Sequence, residues 1–454
     1  MIFTNFSFFL FFLIFLCIYS FFGQKGKSYV LLVGNIIFCL YAGWQSFVVA
    51  MFVILFTYFM GNVKRLGCWI GILLNIAILI FFKYFTESFY PLGISFYSFT
   101  CIAYLADLIK NTGNKAIKKN FLNFCNYILF FPKLVSGPVE RASNLLPQFN
   151  ENKTITFANL QLGFHIFLFG FFKKIVIANR LQIYVDKVFN NLSSFGGGAL
   201  IIAVVFYSIQ IYCDFSGYTD MAIGVAKIFG FNLTQNFKNP YSAKSIGEFW
   251  HRWHISLSSW LRDYIYIPLG GNQKGLPRKY LNIILTFLVS GIWHGSTILF
   301  CIWGLLHAIF QILEGVFINN LKLHKNVKHF ITLFFVAFAW IFFRLKDLND
   351  IQIFFSNLFN LSFYSLQNIK SILLGVTFTT FNNMTPALLM NINVFISLIL
   401  LFIISKIECN SNKHISELII MQNRWKRYLF DYALILLIFT TGVFDSTRFI
   451  YAAF

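Results

Sequence analysis

Long apolar runs follow one another along most of the chain, separated by short polar segments. A helix needs about 20 apolar residues to cross the hydrocarbon core of a bilayer. Such runs lie near 2–22, 28–42, 45–62, 67–85, 89–108, 159–178, 197–213, 281–312, 330–343, 388–406 and 428–444. The pattern predicts an all-α, polytopic integral membrane protein with about 10–12 transmembrane helices.

Three shorter apolar pieces, at 121–136, 216–231 and 372–378, are too short or too often interrupted to cross a membrane simply. They are typical of re-entrant or interfacial helices, whose backbone must be satisfied by protein or by a water-filled cavity. The chain shows no internal repeat, which argues against a transporter built from inverted repeats. The whole chain, 1–454, is therefore expected to form one transmembrane domain.

Hydrophobic residues make up 58% of the chain and charged residues 11%, whereas soluble proteins average about 45–50% and about 25%. So few charges cannot cover so much apolar surface in water, and such high hydrophobicity also excludes disorder. The net charge of +20 favours basic cytoplasmic loops that face anionic lipid over nucleic-acid binding. The eight scattered cysteines predict neither a disulfide framework nor a zinc site.

The first apolar run, from Ile2 to Phe22, has no Lys or Arg before it and no small-residue cleavage site after it. A secretory signal has both features, so we expect a retained first helix. Lys25 and Lys27 follow directly. Since basic residues favour the cytoplasmic side, the N-terminus is predicted to lie outside and this loop inside.

The middle of the chain, from Tyr207 to Asn272, is polar, aromatic and charged, although apolar runs flank it on both sides. Ser245 lies three residues before Glu248, a capping-box pattern that predicts the start of a helix. That helix would carry Glu248, His251 and His254 at successive spacings of three residues. Together with His294 they could bind zinc, but the three side chains spread over about 120° of a helix, which disfavours such a site.

His294 lies inside the apolar run 281–312, between Ser290, Gly291 and Gly295. An ionisable group at membrane depth indicates a functional site, although a histidine packed between helices is an alternative. For His254 a polar role and a core role are equally compatible with the spacing. His251 is interpreted as an interfacial residue. The remaining histidines have no companion motif and are interpreted as packing or surface residues: His165, His307, His324, His329 and His414.

These motifs, taken in order, resemble the membrane-bound O-acyltransferase (MBOAT) family, and within it the bacterial branch that O-acetylates alginate and peptidoglycan. The resemblance covers residues 130–295 and is carried by seven segments: Phe130-Phe-Pro-Lys-Leu-Val-Ser-Gly-Pro-Val-Glu-Arg141, Ser143-Asn-Leu-Leu-Pro-Gln-Phe149, Asp214-Phe-Ser-Gly-Tyr-Thr-Asp220, Glu248-Phe-Trp-His-Arg-Trp-His-Ile-Ser-Leu-Ser258, Leu261-Arg-Asp-Tyr264, Ile267-Pro-Leu-Gly-Gly-Asn272 and Trp293-His-Gly295. At His251 many relatives carry Arg or another polar residue, which argues against an essential role for this histidine.

The resemblance implies helices around a central tunnel, with N-terminal helices in 1–110, a catalytic core in 121–312 and C-terminal helices in 330–454. It also implies that His294 is the catalytic histidine and His254 the second functional position. A neutral imidazole can take a proton from a hydroxyl near neutral pH, and a second polar group can orient the reactants or stabilise the oxyanion. Four carboxylates are expected to hold the scaffold by pairing with Arg252, Arg262 or Lys244: Asp214, Asp220, Glu248 and Asp263.

The segment Phe449-Ile-Tyr-Ala-Ala-Phe454 resembles the F-x-Y-x-x-F ending of alginate- and peptidoglycan-type relatives. There the tyrosine is proposed to carry the acyl group outward. By that resemblance Tyr451 accepts acetyl as a phenyl ester, whereas its alternative role is that of an interfacial tyrosine.

The expected activity is transfer of acetyl from cytoplasmic acetyl-CoA, with no metal, across the bacterial inner membrane to an extracytoplasmic glycan, with peptidoglycan as first choice. Membrane lipid surrounds the protein, and nucleic acid is not an expected partner. Delivery is expected to need a separate serine-esterase-type partner, since the sequence has no G-x-S-x-G motif. Alginate or another polysaccharide, and D-alanyl transfer to teichoic acid, are alternatives of the same class. A transporter is the alternative of a different class, and it predicts flux without a covalent acyl intermediate.

Overall fold

The computed structural model describes residues 3–86, 89–110, 120–318, 321–364, 386–411 and 413–444. Over these ranges the regular structure is helical, and no strand occurs among them. The α-helices of the described ranges are α1 Phe6–Phe21, α2 Gln24–Leu40, α3 Trp44–Asn62, α4 Arg65–Ile80, α5 Ile94–Ile109, α6 Phe121–Leu129, α7 Phe131–Leu134, α8 Ala142–Leu145, α9 Phe157–Phe172, α10 Asn179–Phe189, α11 Gly198–Ile228, α12 Ile246–Arg252, α13 Ile255–Leu261, α14 Gly275–His294, α15 Ile298–Val316, α16 Lys325–Arg344, α17 Leu348–Phe359, α18 Pro386–Ser411, α19 Ile415–Ile420 and α20 Arg424–Thr441.

Six helical segments of the described residues are long and apolar enough to cross a membrane: Trp44–Asn62, Arg65–Phe85, Phe157–Phe189, Gly198–Ile228, Ile298–Val316 and Lys325–Arg344. The helices α1 and α5 are shorter but also apolar. Large apolar side chains such as Phe52, Leu73 and Phe334 are exposed on the outer surface of the bundle, as expected where lipid is the solvent. The prediction of an all-α, polytopic membrane protein is confirmed.

The prediction of a separate short helix at 216–231 is wrong. Residues 216–228 are the C-terminal part of α11, which runs without a break for 31 residues from Gly198 to Ile228. The polar residues that suggested an interruption are buried against α9 and do not face lipid. The run 281–312, in contrast, is divided at Gly295 into α14 and α15.

Of the other two short apolar pieces, 121–136 and 372–378, the structure describes only the first. Residues 121–136 form the short buried helices α6 and α7 and do not make a single crossing, as predicted. The piece at 372–378 lies outside the described residues, as does the segment 445–454.

Helices α9 and α11 approach each other through pairs of glycines. A Cβ atom on Gly163 would lie 2.6 Å from the Gly224 carbonyl oxygen, and a Cβ atom on Gly170 would lie 2.6 Å from that of Gly217. Small residues at regular spacing are the usual means by which membrane helices bring their backbones together. These contacts fix the register of α11 against α9.

Directly after α9, the chain widens into a π-helical turn, Lys173–Ala178. This turn directs two buried lysines at α11, where Lys173 pairs with Asp220 and Lys174 with Asp214, each at 2.5 Å. The prediction that these two aspartates pair with Arg252, Arg262 or Lys244 is wrong, because the closely packed α9 supplies nearer cations. The same prediction of pairing is confirmed for the other two carboxylates, Glu248 and Asp263.

Glu248 lies 2.7 Å from Arg252 and Asp263 lies 2.9 Å from Arg262. Asp263 also pairs with Arg141, at 3.2 Å.

We expect Lys174→Met and Asp214→Asn each to lower the free energy of unfolding by about 3–5 kcal/mol, because each leaves one buried polar partner behind. The double variant should recover part of this loss, since it removes both charges. Thermal unfolding of purified protein in detergent micelles measures the difference. Glu151→Gln, which breaks a solvent-exposed pair with Lys153, is the matched control and should change stability by at most about 1 kcal/mol. Strictly additive losses in the double variant would contradict the pairing.

Candidate active site

His294 is the last residue of α14, and the chain turns away at Gly295. Its side chain is buried and meets the rings of Trp303 and Phe343 edge to face, with centroids 4.9 and 5.1 Å away. A Cβ atom on Gly295 would lie 2.0 Å from the ring of Phe300 in α15. The glycine after His294 therefore lets α15 pack directly against the end of α14.

Two side chains from the π-helical turn Phe81–Phe85 hold the end of α14. The Lys83 ammonium group donates to the carbonyl oxygen of Trp293. The Tyr84 hydroxyl donates to that of Ile292 at 2.6 Å and lies 3.3 Å from that of Gly295. Carbonyl groups at a helix end lack intrahelical partners, so these bonds stabilise the backbone next to His294. Our sequence interpretation missed both residues, although a lysine inside the apolar run 67–85 was a usable signal.

The prediction that His254 shares a helix with Glu248 and His251 is wrong. Helix α12 ends at Arg252, and His254 adopts a left-handed backbone conformation, φ 43° and ψ 54°, before α13. Residues other than glycine rarely adopt this conformation, and it is often found at functional sites. The capping box is half confirmed, because Ser245 Oγ accepts from the Glu248 N–H while the Glu248 carboxylate accepts from the Lys244 N–H.

The four residues considered for zinc do not converge. His251 is exposed, and the Glu248 carboxylate is bound to Arg252. No group of three or more potential metal ligands occurs in the part of the chain that the structure describes.

The His254 ring is fixed by Asn236. His254 Nδ1 lies 3.2 Å from Asn236 Oδ1, which also accepts from the Ser256 N–H at 3.1 Å and from the Ser256 hydroxyl at 2.9 Å. Since a backbone N–H identifies this atom as the amide oxygen, His254 Nδ1 must carry the proton. Burial lowers the pKa of His254 to about 3, so the ring is neutral.

Residues 136–141, the end of the segment Phe130–Arg141, bind to the residues around His254. The Val139 N–H donates to Ser256 Oγ at 3.0 Å, and the buried carboxylate of Glu140 accepts from the Thr234 N–H. Burial raises the pKa of Glu140, and the bonds it accepts oppose that rise. Sequence motifs that lie far apart along the chain therefore meet around His254.

Trp293 brings the two predicted histidines together. The centroid of its ring lies 4.6 Å from that of His294 and 6.4 Å from that of His254. Both histidines are buried, with relative exposures of 2% and 1%. The third predicted site residue, Tyr451, lies outside the described residues.

A further histidine, which the sequence analysis interpreted as a packing residue, lies beside this pair. His307 is fully buried, and its ring contacts Trp303 and Trp250, each at 5.0 Å between centroids. The Trp250 indole N–H donates to His307 Nδ1 at 3.3 Å. The available signal was its position four residues after Trp303, on the same face of an apolar helix.

A cleft of about 430 Å³ lies next to these aromatic residues. Arg262, which is exposed, and Lys279, which is partly buried, supply positive charge to it. Trp250 and Phe287 also line the cleft, and both contact His307. A second, mostly apolar groove of about 610 Å³ borders Trp293 on the side of α4 and α5. Buried neutral histidines beside a cationic cleft are suited to proton transfer and acyl transfer away from water.

Comparisons with known proteins give the same assignment. Residues 7–351 match the model of the membrane-bound O-acyltransferase family. A Pseudomonas putida protein named "Probable alginate O-acetylase AlgI" is 36% identical, over 81% of this chain and 82% of its own length. The "Peptidoglycan O-acetyltransferase" of Helicobacter pylori is 37% identical over 63% of each chain. The "Teichoic acid D-alanyltransferase" of Bacillus subtilis is 32% identical over 44% of this chain and 53% of its own length.

The family match spans both histidines and the loop that positions them, and it agrees with the helical, membrane-spanning fold. The chain belongs to the membrane-bound O-acyltransferase family and is a multi-pass membrane O-acyltransferase.

Proposed function

We propose that the chain moves acetyl groups from cytoplasmic acetyl-CoA across the bacterial inner membrane for O-acetylation of an extracytoplasmic glycan, with peptidoglycan as the first acceptor. The observation that carries the proposal is the pair of buried histidines, His254 and His294, whose rings both lie next to that of Trp293. Relatives named for O-acetylation of alginate and of peptidoglycan support the acetyl group and a glycan acceptor.

In this proposal His294 is the general base. It takes the proton of an acceptor hydroxyl, and the oxygen attacks the thioester carbonyl carbon. The carbon–sulfur bond then breaks, and the thiolate leaves as coenzyme A after it recovers the proton from His294. Burial of both rings keeps water from hydrolysing the thioester.

His254 orients the hydroxyl. Its Nδ1 proton is held by Asn236, so Nε2 of the neutral ring is an acceptor nitrogen. An acceptor nitrogen can hold an incoming hydroxyl group by its single proton until that proton passes to His294, and it cannot donate to an oxyanion. This supports an orienting role for His254 and leaves oxyanion stabilisation to another group.

The cationic cleft supports acetyl-CoA as the donor. Arg262 and Lys279 offer positive charge for phosphate groups, and Ser258, Ser259 and Thr286 line the same cleft with hydroxyl groups. The volume of about 430 Å³ falls within the range of about 300–1,000 Å³ that is common for ligand pockets. The path from this cleft to His294 passes Trp250, Phe287 and His307.

Onward delivery is proposed to use Tyr451 as the acyl carrier and a separate periplasmic partner of the serine-esterase type. The F-x-Y-x-x-F pattern at 449–454 supports the first step. The presence of this tyrosine in the same chain also favours acetyl transfer over D-alanyl transfer, for which the resembling systems use a small separate subunit.

We expect membranes that contain the chain to acquire alkali-labile label on the protein after incubation with acetyl-CoA radiolabelled in the acetyl group. Tyr451→Phe should remove the label because it removes the accepting hydroxyl. His294→Ala should slow labelling by about 10²–10⁴-fold, the usual contribution of a general base. Scintillation counting of purified protein measures both effects.

Tyr432→Phe, at an exposed tyrosine of α20, is the matched control and should label like the wild type. Absence of label from the wild type, or equal labelling of the His294 and Tyr451 variants and the wild type, would refute this mechanism.

Mass spectrometry of cell-envelope glycans identifies the acceptor. Muropeptides from cells that express the chain should carry O-acetyl groups on muramic acid, and those from cells without it should not. Loss of acetyl only from another polysaccharide would overturn the choice of peptidoglycan. Loss of ester-linked D-alanine from teichoic acid, with acetyl unchanged, would overturn the choice of acetyl.

Lys83→Met should lower kcat by about 100-fold with little change in KM, because a shift of about 1 Å in a reacting group is enough for such a loss. Lys83→Arg keeps a donor for the Trp293 carbonyl group and should recover part of the rate. Tyr84→Phe removes only the neutral hydroxyl and should cost about 1 kcal/mol, or about fivefold. Single-turnover acetyl transfer measures all three variants. A change in KM alone, with kcat intact, would assign Lys83 to donor binding instead.

A further inference from the structure

Acyl transfer through His294 needs a donor for the oxyanion that forms on the thioester carbonyl oxygen. His254 cannot supply it, because its only proton in the neutral state is on Nδ1 and is bound by Asn236. His294, as the base, must present an unprotonated nitrogen to the hydroxyl. Another N–H or O–H group close to these two rings is therefore required.

His307 has such a group. Its Nδ1 accepts from the Trp250 indole N–H at 3.3 Å, and an indole nitrogen is a donor only. Nδ1 is therefore unprotonated, and the proton of the neutral ring lies on Nε2. The residue is fully buried, and within the described ranges no hydrogen-bond acceptor reaches His307 Nε2. A buried N–H without a protein acceptor is costly, and such a group is suited to donate to an atom of a bound ligand.

The surroundings of His307 place it between the cleft and His294. Trp303 meets both rings edge to face, with centroids 4.9 Å from His294 and 5.0 Å from His307. On the other side, His307 contacts Trp250 and Phe287, which line the cationic cleft. His307 therefore contacts residues that line the cleft, and it shares Trp303 with His294.

We infer that His307 is a catalytic residue that donates its Nε2–H to the thioester carbonyl oxygen, an inference that rests on the proposed acyl transfer through His294. The acceptor hydroxyl loses its proton to His294, and its oxygen bonds to the carbonyl carbon. The two electrons of the carbonyl π bond move to the oxygen, where His307 Nε2–H stabilises the charge. When the carbonyl re-forms, the carbon–sulfur bond breaks and the thiolate takes the proton from His294.

Two substitutions separate this role from a structural one. The amide of Asn can replace Nδ1 and keep an acceptor for Trp250, whereas the amide of Gln reaches the position of Nε2 and keeps a donor there. We expect His307→Asn to lower the transfer rate by about 10²–10³-fold, the usual effect of losing one oxyanion donor. His307→Gln should stay within about tenfold of the wild type.

The measurement is alkali-released acetate and D-alanine from the envelopes of cells that carry each variant, with kcat and KM for acetyl-CoA on purified protein. Equal abundance and equal thermal unfolding of the two variants show that folding is not the cause. An unchanged KM with a lower kcat in His307→Asn supports the inference. If Asn keeps the rate and Gln loses it, or if the two behave alike, the donor role is overturned.

If the chain transfers D-alanine and not acetyl, the measurement gives a different result from the one expected if His307 is not the donor. Release of D-alanine would then depend on the chain while acetate would not, and the order of the Asn and Gln variants would still test His307.

Discussion

The ion pairs of Lys173 with Asp220 and of Lys174 with Asp214 determine how the centre of this protein is arranged. A lysine inside a membrane bundle needs an anion or a backbone carbonyl group as its partner, and here the closely packed α11 supplies two aspartates. The glycine contacts between α9 and α11 bring the two backbones close enough for the pairs to form. Because both pairs join α11 to the turn that follows α9, they act with the glycine contacts to position the neighbouring residues of α11.

One of the contacts of α11 reaches the candidate active site. Phe215, next to Asp214 on α11, meets the His254 ring edge to face with centroids 4.6 Å apart. On the opposite side, Asn236 binds Nδ1 and the 136–141 motif binds Ser256. A left-handed backbone at a histidine is maintained only where the surroundings determine it from several directions, and these contacts do so.

A second chain of contacts positions the aromatic residues around His307. The buried carboxylate of Glu314 accepts from the N–H groups of Ile246 and Gly247 at the start of α12. Helix α12 carries Trp250, which donates to His307, and His307 and Glu314 lie on the same helix, α15. Helices α12 and α15 therefore hold each other at two points, and a movement of either would displace the Trp250 ring.

The apolar runs and the two candidate histidines could be identified from the sequence because hydropathy and short motifs are local, and the catalytic role of these histidines stays a prediction. Contacts between distant segments could not. The spacing of Glu248, His251 and His254 is compatible with one helix, and only the competing bonds of Asn236 end that helix at Arg252. The partners of Asp214 and Asp220 lie about 40 residues earlier, on a helix whose contact depends on glycine pairs. Lys83 and His307 lie in apolar runs without a motif. Their positions in those runs are the only signal that the sequence offers, and their partners become visible only in the structure.

Aromatic rings, those of Trp250, Phe287 and Trp303, lie near the cleft and His294. They bear on which part of a donor the proposed reaction can bring to His294. The phosphate groups of a coenzyme A donor are strongly hydrated, and they lose little if they remain beside Arg262 and Lys279 on the exposed side. An acetyl thioester carries no charge and can pass Trp250 and Phe287 without that loss. Under the proposed function, these rings admit the uncharged thioester end of the donor and exclude both its charged end and bulk water. If the donor is acetyl-CoA, as proposed, selectivity for a short, neutral acyl group follows from the same rings that bury His307 and His294.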